Sequence, residues 1–210
     1  MSVLTDMAEL VQKGKAQEVS DLVSQALEEG IAPQQILDEG LLKGMGELGV
    51  RFKNNEVFVP EVLIAARALN KGTETLKAKL VGSDIKPIGK VVLATVSGDL
   101  HDIGKNLVKL MLEGAGFEVV DLGTDVPADK IVAAVNENNP EVLALSALLT
   151  TTMAAQGDVI KALIDAGVRD KVKVIVGGAP ITDAFAKEIG ADGYSEDASG
   201  AADIAKQLLQ

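Results

Sequence analysis

The chain has 210 residues, a net charge of −11 at pH 7, one histidine and no cysteine. The absence of cysteine excludes disulfides, thiolate metal sites and cysteine nucleophiles, and the acidic balance argues against nucleic acid, whose phosphates need a basic face. The hydrophobic share of 47% allows a sizeable core, and no apolar run is long enough to span a bilayer, so we expect a cytoplasmic protein with no membrane partner.

The first part of the chain has helical periodicity. Apolar residues recur at i, i+3, i+4 and i+7 over 3–11 and again over 19–27. Pro33 suits the first turn of a third helix, and a fourth helix begins near Pro60. These patterns predict a four-helix module.

The stretch 82–89 contains two glycines and a proline between the periodic segments, which is typical of a linker. We therefore predict two domains, at 1–86 and 87–210.

Four glycines lie within the third predicted helix, at Gly40, Gly44, Gly46 and Gly49. A glycine inside a helix costs about 1 kcal/mol relative to alanine. Such a cost indicates that another backbone or a flat ligand approaches closely. Both interpretations remain open from the sequence.

Strands and helices alternate in the second part of the chain. The predicted strands are 90–96, 117–123, 141–148, 172–178 and 192–195, and the predicted helices are 105–116, 127–139, 153–166, 182–189 and 198–209. Repeated β-α units imply a parallel sheet with helices on both faces. The predicted fold class is thus α plus α/β, a four-helix cap followed by a flavodoxin-like (Rossmann-like) five-stranded sheet. In the strand order 2-1-3-4-5, strands 1 and 3 flank the switch point where such sheets bind ligands.

Three strand ends carry the residues that could form a ligand site. They are Asp99-x-His101-x-x-Gly104 after the first strand, Ser146-x-Leu148 at the third, and Gly177-Gly178 at the fourth. The imidazole of His101 suits transition metals including cobalt, and Asp99 could accept its second ring N–H. With no second histidine and no cysteine in the chain, a metal at His101 would take its other ligands from a cofactor. Read singly, each motif could equally be a solvated loop or an ordinary turn.

In order and spacing, the three motifs resemble the cobalamin-binding signature, with 41 residues between Gly104 and Ser146 and 28 between Leu148 and Gly177. The stretch 40–69 resembles the helical cap of cobalamin-dependent methyltransferases. Taken over about residues 5–209, the chain resembles the small corrinoid proteins of methyltransferase systems for methanol, methylamines or methoxylated aromatics. It is also similar to the cobalamin-binding region of cobalamin-dependent methionine synthase.

The resemblance implies a cobalamin or related corrinoid, such as methylcobalamin, as cofactor. His101 would be the lower axial ligand of cobalt, Asp99 would hydrogen-bond it, and Thr152 would complete the ligand triad. The corrin and its emerging tail would contact Gly98, Leu100, Asp102, Ile103 and Gly104. The nucleotide tail would contact Ser146, Leu148, Thr150, Gly177, Gly178, Tyr194, Glu196, Asp197 and Ala198. Phe52 and Val59 would shield the upper face of the corrin, although both could be ordinary core residues.

The resemblance also implies a methyl carrier that is not catalytic alone. Cobalt would cycle between Co(I) and methyl-Co(III), taking a methyl group through a substrate-specific methyltransferase and passing it to tetrahydrofolate or a thiol through a second methyltransferase. A reductive activator would be a further partner, and the linker would be the hinge that lets the cap move. The alternatives are a cobalamin-based sensor or regulator, the small subunit of a carbon-skeleton mutase, and a flavodoxin-like or receiver-like domain without corrinoid.

Overall fold

A computed structural model describes residues 2–79 and 86–210 and divides into two compact units. One unit runs to Lys86 and includes Gly114–Gly116, and the other comprises Pro87–Glu113 and Phe117–Gln210. The division into domains at 86/87 stays a prediction, because residues 82–85 of the predicted linker and hinge lie outside the described residues. No helix in the described ranges is long and apolar enough to cross a membrane.

The first unit is helical. It contains α1 (Val3–Gln12), α2 (Ala16–Glu28), α3 (Pro33–Gln35), α4 (Lys43–Lys53) and α5 (Val59–Lys79), with a π-helical segment (Ile36–Leu42) that joins α3 to α4. Because α3, the π-helical segment and α4 follow one another without a break, they form the third predicted helix. Periodicity predicted its length but not the wider π turns at its start.

Helix packing explains two of the four glycines in this third helix. A Cβ atom on Gly40 would lie 2.6 Å from the sulfur of Met7, and one on Gly44 would lie 2.5 Å from the backbone oxygen of Ala8. At these two positions α1 is the close neighbour, so packing rather than a flat ligand accounts for the glycine. A Cβ atom on Gly46, by contrast, would have no described atom outside its own helix within 4 Å.

The second unit contains five strands and five helices within the described residues. The strands are β1 (Lys90–Thr95), β2 (Glu118–Asp121), β3 (Val142–Ser146), β4 (Lys173–Gly177) and β5 (Gly193–Ser195). The helices are α6 (Ile103–Gly114), α7 (Ala128–Asn138), α8 (Ala154–Asp165), α9 (Asp183–Glu188) and α10 (Ala198–Gln207), with a short 3-10 turn (Arg169–Lys171) before β4. The sheet is parallel with the order β2-β1-β3-β4-β5. The predicted fold class and strand order are confirmed.

The central strands are buried on both faces. Val92, Leu143 and Val174 pack in one core cluster with residues of α7 and α8. Val91 and Leu93, which point to the opposite face, are also buried. Burial on both faces is the physical reason why these strands are continuous apolar runs rather than alternating ones.

The strand register aligns the carboxyl ends of four strands. Thr95 of β1 lies opposite Ser146 of β3, Ser146 lies opposite Gly177 of β4, and Gly177 lies opposite Ser195 of β5. The segment after β2 joins the same edge through a parallel bridge to the end of β1. Motifs that are far apart in the sequence therefore meet at one edge of the sheet.

Candidate functional site

The carboxylate of Asp99 lies at the centre of this edge. Its side chain is fully buried, and its two oxygens accept four hydrogen bonds. The backbone N–H and the ring Nδ1 of His101 both donate to Oδ1 at 3.0 Å. The backbone N–H of Leu148 and the hydroxyl of Thr152 both donate to Oδ2 at 2.7 Å. The structure thus brings Asp99, His101 and Thr152 together, across two loops.

The hydrogen bonds determine the charge of Asp99. Burial by itself would raise the pKa of this carboxyl. The donors from Leu148, Thr152 and His101 outweigh that effect and hold the pKa of Asp99 well below its usual range. Near neutral pH the ionised carboxylate can only accept hydrogen bonds. His101 must therefore donate from Nδ1, and in the neutral imidazole the lone pair is then on Nε2.

The side chain of His101 is partly open to solvent. Its exposed fraction is 53%. Thr95, at the buried end of β1, donates from its hydroxyl to the backbone oxygen of His101 at 3.0 Å and anchors the loop. An imidazole that is anchored through one ring nitrogen and partly exposed is a suitable ligand for a transition metal. Among the described residues, no group of three or more His, Asp or Glu side chains could hold a metal ion.

Exposed apolar side chains lie in the two loops joined by Asp99 and at the first residue of α6. Leu100 and Ile103 are each 75% exposed, and Leu148 and Leu149 are also exposed. A single exposed leucine is normal on a protein surface. Four such residues beside an accessible imidazole match an apolar, planar macrocycle that presents its metal to the ring. The residues present therefore fit a corrinoid.

The remaining predicted loop residues lie at the same edge. Gly98, Asp102, Gly104 and Thr150 are exposed, and Ser146 is half-buried at the end of β3. Their contacts with a cofactor stay predictions.

The glycines after β4 are required by neighbouring backbone. A Cβ atom on Gly178 would lie 1.8 Å from the backbone oxygen of Ala147, and the φ angle of Gly178 is 129°. A Cβ atom on Gly177 would lie 3.0 Å from the backbone oxygen of Ser195. The close approach of adjacent strand ends explains both glycines, and their predicted role in making room for the nucleotide tail stays a prediction.

The segment at the end of β5 has a structural role that the sequence analysis did not predict. The carboxylate of Asp197 caps α10, because it accepts a hydrogen bond from the backbone N–H of Gly200 at 2.7 Å. Tyr194 is half-buried, Glu196 is exposed and Ala198 is buried. Their predicted contacts with the nucleotide tail stay predictions.

Phe52 and Val59 belong to the helical unit. Phe52 lies in the last turn of α4, Val59 is the first residue of α5, and both are half-buried. Their predicted contact with the upper face of the corrin stays a prediction.

Gln156 is a buried residue at this edge that the sequence analysis missed. Its side-chain N–H₂ donates to the backbone oxygens of Leu145 and Gly177, both at 3.1 Å, and so joins the ends of β3 and β4. Within the described residues, its Oε1 is a buried side-chain oxygen without a hydrogen-bond partner. The signal was a polar residue in helical register with the buried Val159, Ile160 and Leu163.

Asp125 is a second residue that the sequence analysis missed. It follows β2, and its carboxylate accepts a hydrogen bond from the backbone N–H of Gly98 at 2.7 Å. The signal was its position, because the parallel order places the end of the second strand beside the end of the first.

Comparisons with known protein families match both units. Two family models, each described as B12 binding domain, match residues 89–203 and 3–77. The chain is 44% identical to dimethylamine corrinoid protein 3 of Methanosarcina acetivorans, over 99% of this chain and 97% of that protein. It is 44% identical to the trimethylamine corrinoid protein of Methanosarcina barkeri, over 90% of this chain and 88% of that protein.

Solved structures are similar over the same length. A chain of the methanol:cobalamin methyltransferase complex of Methanosarcina barkeri matches with a TM-score of 0.89 and 34% identity, covering 99% of this chain and 79% of that one. A cobalamin-binding protein of Desulfitobacterium hafniense matches with a TM-score of 0.82 and 34% identity, covering 99% and 98% of the two chains.

Proposed function

The chain belongs to the family of corrinoid proteins built from B12 binding domains, and from that membership we propose that it carries a methyl group between two methyltransferases. The resemblance predicted from the sequence motifs is confirmed by both family matches and by relatives that are aligned over nearly the whole chain. The relatives reported above are named for dimethylamine, trimethylamine and methanol systems. None of those names refers to a sensor or a mutase.

The observation that supports the proposal most directly is the pair formed by His101 and Asp99. When bound, a corrinoid supplies a cobalt atom that can accept and release a methyl group, while the protein binds and orients it. The ionised Asp99 keeps the ring proton on Nδ1, orients the ring and increases the basicity of Nε2. His101 Nε2 is therefore the protein atom that we propose as the axial ligand.

The loop after β3 supports this pair from the other side. Leu148 and Thr152 hold Oδ2 of Asp99 through two short hydrogen bonds. A carboxylate held at both oxygens has little freedom to rotate, so the ring that depends on it is preorganised. Exposed Leu100 and Ile103 would contact the underside of the corrin and exclude water from the ligand bond.

We propose a methyltransferase specific for a small methylated amine or for methanol as the donor-side partner, because the relatives are named for these compounds. A second methyltransferase would accept the methyl group, and a reductive activator would restore the carrier after oxidation.

Axial ligation can be tested at a single residue. Because the chain contains one histidine, ¹⁵N-histidine labelling marks the His101 ring alone. The protein is reconstituted with cobalamin, reduced to Co(II) and measured by electron paramagnetic resonance. We expect a nitrogen splitting that changes with the ¹⁵N label and disappears in His101→Ala. A nitrogen splitting that is the same with and without the ¹⁵N label would show that the cofactor's own base is the ligand and would contradict the assignment.

Methyl transfer is tested separately with the loaded protein. The bound corrinoid is first reduced to Co(I). Dimethylamine, trimethylamine and methanol are then each offered with a methyltransferase specific for that compound, and methylation of the corrinoid is followed by its absorbance. We expect methylation with one of the three donor systems and none with His101→Ala. Stable corrinoid binding without methylation from any of them would contradict the proposed donor-side partners.

A further inference from the structure

Asp125 makes two hydrogen bonds to the loop that carries His101. Its Oδ1 accepts from the backbone N–H of Gly98 at 2.7 Å. Its own backbone N–H donates to the backbone oxygen of Asp99 at 2.9 Å. The two bonds run in opposite directions between the loop after β2 and the loop after β1. Together they hold the two peptide groups that flank this segment, the one before Gly98 and the one after Asp99.

The backbone of Asp125 is in an uncommon conformation. Its φ angle is 52°, in the left-handed region, and the φ angle of its partner Gly98 is 82°. Few residues other than glycine adopt this region, although aspartate and asparagine tolerate it best. A residue kept in such a conformation next to a binding site indicates a functional constraint.

Backbone hydrogen bonds on both sides keep Asp125 in place. Thr95 donates from its N–H to the oxygen of Gly123 at 3.0 Å, and Val126 donates to the oxygen of Thr95 at 3.1 Å. The same Thr95 holds the backbone oxygen of His101 through its hydroxyl. The segment that carries Asp125 is therefore hydrogen-bonded to the end of β1 on both sides of this residue, which places its carboxylate beside the His101 loop.

We propose that Asp125 is a positioning residue that fixes the backbone of Gly98 and Asp99 and thereby aims Nε2 of His101 at the cofactor. This inference rests on the proposed axial role of His101. Four donors hold the carboxylate of Asp99. The direction in which that side chain leaves the main chain depends on the backbone, which Asp125 holds. Ligand geometry has to be maintained within about 0.5 Å, so a small rotation of the backbone at Gly98 and Asp99 weakens ligation before it affects folding.

Three substitutions separate the hydrogen bond from the backbone strain. Asp125→Gly removes the carboxylate and relieves the left-handed backbone. Asp125→Asn keeps an acceptor oxygen and tolerates the same backbone. Asn139→Gly is the matched control, since Asn139 is also left-handed, with a φ angle of 44°, but lies at the end of α7.

The readouts are the label-dependent nitrogen splitting in the Co(II) state, cobalamin affinity of the apo-protein, and denaturant unfolding. In Asp125→Gly we expect the ratio of His101-ligated to unligated cobalt to fall about tenfold, the effect of losing one hydrogen bond to a charged group. Cobalamin affinity should change less than this ratio, and the unfolding midpoint should not fall. Asp125→Asn and Asn139→Gly should keep the wild-type splitting.

Two results would overturn the proposal. One is an Asp125→Gly variant with the wild-type splitting, and the other is a loss of splitting that only accompanies equal losses of cobalamin affinity and of stability. Wild-type protein that binds cobalamin without a label-dependent splitting would overturn the proposed ligand role of His101 itself, and this inference with it.

Discussion

One buried carboxylate determines the tautomer of an exposed imidazole ring in this protein. Asp99 is inaccessible to solvent, yet its Oδ1 determines which nitrogen of His101 keeps the proton. A buried charge is stable only when hydrogen bonds replace the lost water, and Leu148 and Thr152 provide them at Oδ2. The chemistry proposed for His101 thus depends on residues of a different loop.

The hydroxyl of Thr152 can be tested by an isosteric substitution. Thr152→Val keeps the shape of the side chain and removes the donor to Asp99, so we expect the free energy of unfolding to fall by about 2 kcal/mol, as for a lost hydrogen bond to a buried charge. Thr152→Ser keeps the hydroxyl and loses one methyl group, which costs about 0.8 kcal/mol. Urea unfolding of the apo-protein measures both. Equal losses in the two variants would contradict a role for the hydroxyl.

At the scale of elements, the site depends on how closely adjacent strand ends approach. The loop after β4 passes Ala147 so closely that a side chain at Gly178 has no space. Gln156 of α8 joins the ends of the same two strands. Because Leu148 follows Ala147 directly, the separation of β3 and β4 also positions a donor to Asp99.

Gly178→Ala tests this close approach. The new Cβ atom would overlap the backbone oxygen of Ala147 in a backbone conformation that already disfavours a side chain. We expect a loss of about 2–4 kcal/mol in the free energy of unfolding and weaker cobalamin binding, because the loop that carries Leu148 must shift.

Gly190→Ala is the control for that experiment. Gly190 has a φ angle of 78°, and no described atom beyond its two chain neighbours lies within 4 Å of its Cβ position, so only the conformational cost of about 1–2 kcal/mol applies. Equal losses in stability for the two variants, with cobalamin affinity unchanged in both, would show that the contact with Ala147 is unimportant.

At the scale of the whole molecule, two partly or fully buried aspartates couple stability to pH. Burial by itself would raise the pKa of Asp121. The hydrogen bonds and the charge of Lys105 lower that pKa by more than burial raises it, so the net shift is downward, as it is at Asp99. Lys105 contacts both oxygens of Asp121 at 2.7 Å and joins α6 to the end of β2. The pKa of Glu113 is shifted in the opposite direction, because burial raises it.

The lowered pKa values of Asp99 and Asp121 predict acid sensitivity with a defined sign. Their contribution to stability is present above the aspartate pKa of the unfolded chain, about 3.9, and is lost as pH falls from there through the lower folded-state pKa. Urea unfolding from neutral pH to about pH 3 should therefore show a steeper loss in the wild type than in Asp99→Asn or Asp121→Asn. Parallel profiles of stability against pH for all three proteins would contradict the assignment of the acid sensitivity to Asp99 and Asp121.

Much of the fold could be predicted because local patterns encode it. Helical spacing predicted the helices of the first unit, and the alternation of apolar runs with helical segments predicted the parallel sheet. The strand order came from the flavodoxin-like fold class and agrees with the structure. The π-helical segment over Ile36–Leu42 was not predicted, since its apolar spacing does not differ enough from that of an α-helix. Within the site, Asp99 and His101 were predictable as a pair because they are two residues apart.

The sequence by itself determined most of the elements and the histidine motif, because periodicity and short spacings depend only on neighbouring residues. It also determined the family, because the order and spacing of three motifs along the chain identify it. Only the tertiary structure decided how the motif is held. The hydrogen bonds of Asp125 to the His101 loop, the link that Gln156 makes between β3 and β4, and the need for Gly178 beside Ala147 all cross between strands. Those contacts depend on strand register, which long-range packing of both sheet faces sets and which no local pattern contains.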